Sequence, residues 1–428
     1  MTTKTKISTE SYKGVRDFYP EDMFIQNHIF KVWKEVVESF GYNEYNASIL
    51  EPAELYRAKS GEEIVNEQTY TFTDRGEREV TLRPEMTPTV ARMVAAKERE
   101  LVFPLRWYSI PNLFRYEKPQ RGRLREHFQL NVDLFGAEGN EADAEIISVA
   151  YEIMKKFGAT DNDFLIKINN RKLLNDLYAY FKMTPEESQK VSKIIDKKEK
   201  ISKDVFETSV KEVIGERMPD FVRILTSNEK LFDTLGKDNP NAKEIVDLIE
   251  KLESIGITNV SFEPTLMRGF DYYTGIVFEV FDTHPDNNRS VFGGGRYDDL
   301  LEIFGADKVP TIGFGAGDVT ARDFLETHNL LPQYKPSAQI YICTLGTEFS
   351  DNARKLAETL RKKNIHVAID LSSKKVGDQI KTAHRQNIPY VICIGENEVT
   401  SGMYPLKKMD TGEEKNLKAN DIVASLLV

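Results

Sequence analysis

Leu266-Met267-Arg268-Gly269-Phe270-Asp271-Tyr272-Tyr273-Thr274-Gly275 runs directly into Ile276-Val277-Phe278-Glu279-Val280, and the reading of this junction decides the fold. One cation, one carboxylate and two phenols crowd six positions, and an apolar strand follows at once. An ordinary strand edge alternates polar and apolar residues and would carry fewer polar groups. Donors and acceptors held at the start of a strand suit a buried site for a small polar ligand, where each such group must find a partner. An exposed turn carrying a salt bridge is the plainer alternative for this stretch taken alone.

Around it, the strands Glu79–Arg83, Leu105–Ile110 and His127–Phe135 are expected, the last with clear alternation. A helix is expected over Asp22–Phe40, with Ile25, Ile29, Val32, Val36 and Phe40 at helical spacing and Gly41 ending it. Tyr45–Leu50 then reads as a strand stopped by Pro52. Together these imply an α+β architecture, an antiparallel sheet with flanking helices. Met183–Gly256 is rich in Lys, Glu, Ile and Leu at helical spacing and reads as a helical insertion. Asn329–Pro336, with two prolines, reads as a linker. Beyond it the pattern becomes strand-helix-strand-helix-strand: Gln339–Cys343, Ala353–Lys363, His366–Ile369, a helix from Lys375, and Tyr390–Ile394. That order implies a small α/β domain with parallel pairs. The expected domains are 1–330, containing the 183–256 insertion, and 337–428.

At 428 residues and 40% hydrophobic content the chain can hold two or three packed domains. No apolar run is long enough to span a membrane, and Met1–Tyr12 lacks both a signal core and an Arg-rich transit bias. Cys343 and Cys393 lie in apolar strand-like runs, which favours buried free thiols in a reducing, cytoplasmic compartment over a disulfide or metal pair. The net charge of −10 argues weakly against a general nucleic-acid coat. Locally the balance reverses: Arg115, Lys118, Arg121, Arg123 and Arg125 face a single acid, Glu117, across eleven positions. That excess could meet phosphates, with a solvated basic loop as the alternative. No G-x-G-x-x-G junction or Walker string is present, so a Rossmann or P-loop nucleotide site is not expected.

Five strings share one resemblance, in the right order. Gly14-Val15-Arg16-Asp17-Phe18-Tyr19-Pro20 is similar to the opening signature of histidyl-tRNA synthetases. Thr81-Leu82-Arg83-Pro84-Glu85-Met86-Thr87 resembles the LRPE-T loop of several class II synthetases. Phe114-Arg115-Tyr116-Glu117 with Pro119-Gln120-Arg121-Gly122-Arg123 resembles class II motif 2 in its histidyl form. The opening stretch and Gly293-Gly294-Gly295-Arg296-Tyr297-Asp298 resemble histidine motifs A and B. The helix-strand-Pro unit near the N-terminus resembles motif 1, which builds a homodimer interface. Residues 337–428, with thirteen cations against eleven acids, resemble the anticodon-binding domain by order and length.

The resemblance implies ligation of L-histidine to tRNA(His) through a histidyl-adenylate, with ATP and Mg2+, in a cytoplasmic homodimer. It implies roles residue by residue. Arg115 and Arg268 would hold the histidine carboxylate and the α-phosphate from two sides, since a planar guanidinium binds two oxygens at once. Glu85, Thr87 and Gln129 would take the ammonium group. Asp133, where many relatives carry the longer glutamate, would read the imidazole nitrogens with Tyr273, supported by Tyr272 and Asp271. Glu117 would read the adenine amino group, Arg123 a phosphate, and Gln120 the acceptor end of tRNA. Two departures stand out. His127-Phe128-Gln129 replaces the common Phe-His-Gln, which puts His127 where an aromatic ring stacks on adenine. Gly317-Asp318-Val319-Thr320 replaces the usual end of motif 3, so Thr320 occupies the place of the arginine that grips the γ-phosphate. Arg322 lies about 200° further around a helix and is no simple replacement. The competing readings are a regulatory paralogue of the ATP phosphoribosyltransferase subunit type and another class II synthetase. The first would lack the C-terminal domain, and the second the two histidine strings.

Overall fold

The computed structural model describes residues 7–57, 68–236, 238–268, 272–287 and 289–426. Two compact units divide the chain, Met1–Pro332 and Gln333–Val428.

The first unit opens with α1 (Pro20–Ser39), whose first turn carries Pro20, Glu21 and Asp22. Proline suits a position whose N–H would be unpaired, and acids suit the positive end of the helix dipole. Then follow β1 (Asn43–Glu44), β2 (Leu50–Pro52), α2 (Glu54–Arg57), β3 (Tyr70–Thr73), β4 (Glu79–Leu82) and α3 (Thr87–Lys97). The strand expected over Tyr45–Leu50 is therefore broken. The side chains of Asn46 and Ser48 accept from the backbone N–H groups of Ala47 and Leu50, at 2.8 and 3.2 Å. Arg83 takes the Ala47 carbonyl at 2.8 Å. Local side-chain bonds thus replace a ladder in this segment.

The main sheet is built from β5 (Leu105–Ser109), β6 (Asn112–Phe114), β7 (Glu126–Phe135), β8 (Phe164–Asn170), β9 (Val260–Phe262), β10 (Ile276–Asp282), β11 (Ser290–Arg296) and β12 (Thr311–Gly317), with β1 at one edge. Its order is β1-β5-β7-β12-β11-β10-β8-β9, with β6 pairing β7. All neighbours run antiparallel except the edge pairs β1–β5 and β8–β9. β2, β4 and β3 form a separate antiparallel sheet. After β7 comes α4 (Gly139–Lys156), and after β8 come α5 (Arg171–Tyr180), α6 (Pro185–Ile195), α7 (Lys203–Ile214), α8 (Met218–Leu225), α9 (Asn228–Leu235) and α10 (Pro240–Ser254). Thr184, Ser202, Ser227 and Asn239 cap four of these helices through their side chains. α11 (Asp318–Thr327) ends the unit.

The two faces of the main sheet differ in kind. Leu130, Val132 and Leu134 of β7 face a core with Ile29, Trp33 and Val36 of α1 and Ile146, Ile147 and Ala150 of α4. Alternation sends Gln129, Asn131 and Asp133 to the opposite face, where they line a cleft. On that side Val90, Ala91 and Val94 of α3 pack with Tyr272, Tyr273 and Tyr297.

The second unit carries β13 (Ile340–Thr344), α12 (Ser350–Arg361), β14 (Val367–Ile369), α13 (Val376–Arg385), β15 (Tyr390–Ile394), α14 (Glu396–Ser401), β16 (Tyr404–Lys408), β17 (Glu414–Leu417) and α15 (Ala419–Leu426). β14, β13 and β15 run parallel, while β16 and β17 add an antiparallel hairpin. The hairpin escapes sequence reading because β17 is exposed and charged, so it shows no apolar alternation. Cys343 and Cys393 sit opposite each other in the ladder as free thiols. Among the described residues, no helix is long and apolar enough to cross a membrane.

Candidate active site

A cleft of about 530 Å³ opens on the site face of the main sheet, a size that suits a small ligand. Its walls are polar: Glu85 and Thr87 at the start of α3, Arg115 after β6, Gln129, Asn131 and Asp133 on β7, Arg268, Tyr272 and Tyr273 before β10, and Tyr297 after β11. A second cleft, of about 1860 Å³ with its open mouth, adjoins the first and is lined by Glu117, Arg123, His127 and Thr320 among others. Arg115, Gln129 and Arg268 border both spaces. The two guanidinium groups therefore stand where a ligand in the small cleft would meet one in the large cleft.

Each polar group is held from behind. Arg115 Nε donates to the Pro84 carbonyl at 2.9 Å, which ties motif 2 to the LRPE loop. Arg268 Nη1 donates to Glu279 Oε1 at 2.7 Å, and its guanidinium lies over the Tyr273 ring, 5.9 Å from the centroid. Burial opposes the charge on Arg268, but Tyr273, Glu279 and Tyr272 beside it hold its pKa above the usual arginine value. Gly293 makes room for this group, since a Cβ there would sit 2.5 Å from Arg268 Nη1. The Tyr272 hydroxyl donates to Glu85 Oε2 at 3.4 Å. Gln129 Nε2 donates to Asn131 Oδ1 at 2.7 Å.

Asp133 is the most perturbed acid of the cleft. Tyr297 donates its hydroxyl to Asp133 Oδ1, while Oδ2 is buried without a protein partner. Burial pushes its pKa up to about 7, partly countered by the hydroxyls of Tyr297 and Tyr45. A Cβ on Gly313 would lie 2.6 Å from Asp133 Oδ1, so glycine is required behind this carboxylate. A buried acceptor with one open oxygen is suited to an N–H donor from a ligand.

In the larger cleft His127 projects from the same face of β7 as Gln129 and Asp133, while Phe128 turns inward against Phe18 and Phe30. Burial first, then the positive charges of Arg115 and Arg16, hold the His127 pKa down to about 3. The ring is thus neutral at working pH, a flat surface among cations. The exchange of His and Phe in the sequence places His127, as expected, on the cleft side. Arg123 Nη1 lies 3.6 Å from Glu117 Oε2. Gln120 and Arg123 exchange two backbone hydrogen bonds, at 3.0 and 2.9 Å, closing a small turn with Gln120 exposed at its side. Asp271 lies outside the described residues.

Some contributors carry no expectation from sequence. Asn131 could have been found from alternation alone, lying between Gln129 and Asp133 on one strand face. Asp196, Lys197 and Lys200, between α6 and α7 of the helical insertion, line the larger cleft. Asp318 explains half of the motif 3 departure. Its fully buried carboxylate accepts from Arg16 Nη2 at 2.6 Å, Gln26 Nε2 at 2.9 Å and the Phe128 N–H at 2.9 Å, pinning β7 to α11 beside His127. Arg83 and Arg296, both within the quoted strings, are structural. Arg83 bonds the Ala47 and Asn112 carbonyls, and Arg296 pairs with buried Asp143 at 2.8 Å.

Comparison with known proteins identifies the family. The family model described as histidyl-tRNA synthetase matches residues 14–318, and one for an anticodon binding domain matches residues 339–427. A histidine--tRNA ligase of Leptospira biflexa is 46% identical over 412 residues, 94% of each chain. One of Thermoplasma volcanium is 36% identical, covering 97% of this chain and 98% of its own. The crystal structure of a histidyl-tRNA synthetase from Nostoc shares the fold, with a TM-score of 0.84 at 22% identity and 99% coverage of both chains. The chain belongs to the histidyl-tRNA synthetase family.

Proposed function

We propose that this chain ligates L-histidine to tRNA(His) in two steps, with the small cleft holding histidine and the large cleft holding ATP. The observation that carries the reading is the placement of Arg115 and Arg268 on the border between the clefts. There the histidine carboxylate oxygen would attack the α-phosphorus, forming the mixed anhydride and expelling pyrophosphate. Two fixed guanidinium groups would neutralise charge as it builds on the phosphoryl oxygens. Positioning and preorganised electrostatics of this kind supply most of the rate in phosphoryl and adenylyl transfer. In the second step a ribose hydroxyl of the tRNA end attacks the histidyl carbonyl and releases AMP.

Glu85, Thr87 and Gln129 would receive the ammonium group, and Asp133 with Tyr273 the two imidazole nitrogens, Tyr272 bracing Glu85. His127 would stack on adenine, Glu117 would accept from its amino group, and Arg123 would bind a phosphate. Mg2+ would come with the ATP phosphates, which suits an ion that keeps several waters and needs few protein carboxylates. Glu279 and Asp196 are the acids facing the cleft that could hold it, and its chemistry would be to neutralise the departing pyrophosphate. Residues 337–428 would contact the anticodon and the 183–256 insertion the tRNA body. A homodimer through α1 and β2, working in the cytoplasm, completes the proposal. The regulatory-paralogue alternative is not favoured, since the relatives that match over nearly the whole chain are histidine--tRNA ligases.

Pyrophosphate exchange into ATP tests the reading. Histidine alone among the amino acids should drive exchange. Exchange driven by proline or glycine, or by no amino acid, would overturn it.

A further inference from the structure

Thr320 leaves the end of the ATP cleft without the guanidinium expected there, and the structure brings another to the same spot. A methyl group placed on Gly122 would lie 2.6 Å from Arg289 Nη1, 3.7 Å from Thr320 Cγ2 and 3.7 Å from Asp323 Oδ2. Gly122, Thr320 and Ser290, the neighbour of Arg289 in sequence, all line the large cleft. Arg289 therefore comes from the start of β11 to lie beside Gly122 and Thr320, at the margin of the cleft rather than in its lining. We propose that Arg289 replaces the missing motif 3 arginine and binds the terminal phosphate of ATP, an inference that rests on the large cleft being the ATP site.

Two other nearby arginines are committed elsewhere. Arg322 is held at both ends of its guanidinium, by Glu326 at 2.9 Å and Asp22 at 3.0 Å. Arg16 is bound to buried Asp318 and lies over the Phe18 ring. Arg121 makes long contacts, 3.4 Å to the Asp286 carbonyl and 3.5 Å to the Thr327 hydroxyl, and the guanidinium that a Cβ on Gly122 would meet is that of Arg289. Arg289 is held more loosely than Arg322 and Arg16. Its Nη1 donates to the Arg121 carbonyl at 3.0 Å and lies 3.9 Å from Asp323 Oδ2, with a third of the side chain exposed. A phosphate offers stronger, charge-assisted bonds than a carbonyl does. Asp323 lies close enough to both Arg289 and Arg121 to offset their mutual repulsion.

The test compares ATP with AMP, because a contact to the terminal phosphate affects only the first. Histidine-dependent exchange by the unaltered full-length chain is measured first, and its absence would remove the ATP-site reading rather than this assignment. Arg289→Ala should then weaken equilibrium ATP binding by roughly tenfold or more, the scale of one lost charge-assisted bond, while AMP and histidine binding stay within about twofold. Arg289→Gln, which can still donate to the Arg121 carbonyl, should give the same loss and guards against a folding defect. Adding Thr320→Arg to Arg289→Ala should recover ATP affinity. Equal weakening of ATP and AMP would show that Arg289 merely orders the turn at Gly122. That result, an unchanged ATP affinity, or a folded double variant without recovery would each overturn the assignment.

Discussion

Arg268 and Glu279 show how a cleft-lining charge is kept in place inside a protein. The pair is mostly buried, with 14% and 16% of the side chains exposed, so removing the arginine also strands a carboxylate. Arg268→Ala should lower histidine-dependent exchange by at least ~10²-fold and also lower the melting temperature. Arg268→Ala with Glu279→Gln should regain most of the stability and none of the activity. Exchange recovering with stability would show that the arginine serves only the fold. Asp133 presents the opposite balance, a buried acid whose charged form costs stability. Its pKa of about 7 stands above the unfolded carboxylate value, so its contribution is favourable at low pH and is lost as pH rises through 7. Asp133→Asn should therefore be more stable than the parent above pH 8, by about 1–4 kcal/mol, with the gap closing below pH 5. It should also lose roughly 10- to 100-fold in histidine affinity, the worth of one hydrogen bond to a buried charge. Thermal unfolding across that pH range checks the first expectation and calorimetric titration with histidine the second. A gap that does not change with pH would mean that the Asp133 pKa is the same in the folded and unfolded chain.

At the scale of elements, what could be read from sequence was whatever a single element carries within itself. The alternation of β7 is such a case, because its inward residues are apolar and its outward ones are Gln129, Asn131 and Asp133. The helical insertion was legible for the same reason, its apolar spacing being helical throughout. The broken strand after α1 was not, because Arg83, far along the chain, takes the Ala47 carbonyl. Nor was the contact of Tyr297 with Asp133, which depends on β12 lying between β7 and β11. Arg289 belongs to this second kind, since no string near it marks a phosphate contact and only the packing of three separate segments brings it to Thr320. The 115–125 segment mixes the two. Its charge is plain in the sequence, whereas its shape comes from the turn in which Gln120 and Arg123 bond each other. Gln120 is an exposed, uncharged amide among cations, suited to read a base edge while its neighbours hold phosphates. Gln120→Ala should leave pyrophosphate exchange within about twofold and slow transfer to tRNA roughly tenfold, the scale of one base-edge contact. Because no charge is removed, the defect should change little with salt and should depend on the nucleotide at the acceptor end. An equal defect on every acceptor end that vanishes at low salt would assign Gln120 to phosphate contact instead.

Across the whole molecule, the described residues lining the two clefts belong to Met1–Pro332. The second unit has its own core, in which Ile340, Ile342, Leu356, Leu360, Ile392 and Ile394 are buried together. Each unit thus buries its apolar residues internally, as expected of domains able to fold separately. Adenylate formation needs only the groups around the clefts, whereas productive transfer also requires the tRNA to be held. Ending the chain after Pro332 should therefore leave histidine-dependent exchange measurable, within about tenfold of the full chain, and should weaken transfer to tRNA by roughly 10²-fold or more. The larger loss follows from linked binding, since a second contact on the same tRNA raises the effective concentration of its acceptor end at the cleft. Raising the tRNA concentration should recover part of the transfer rate in the shortened chain, because the loss lies in binding. A loss shared equally by exchange and transfer would instead show that residues 333–428 support the folding or assembly of the catalytic unit.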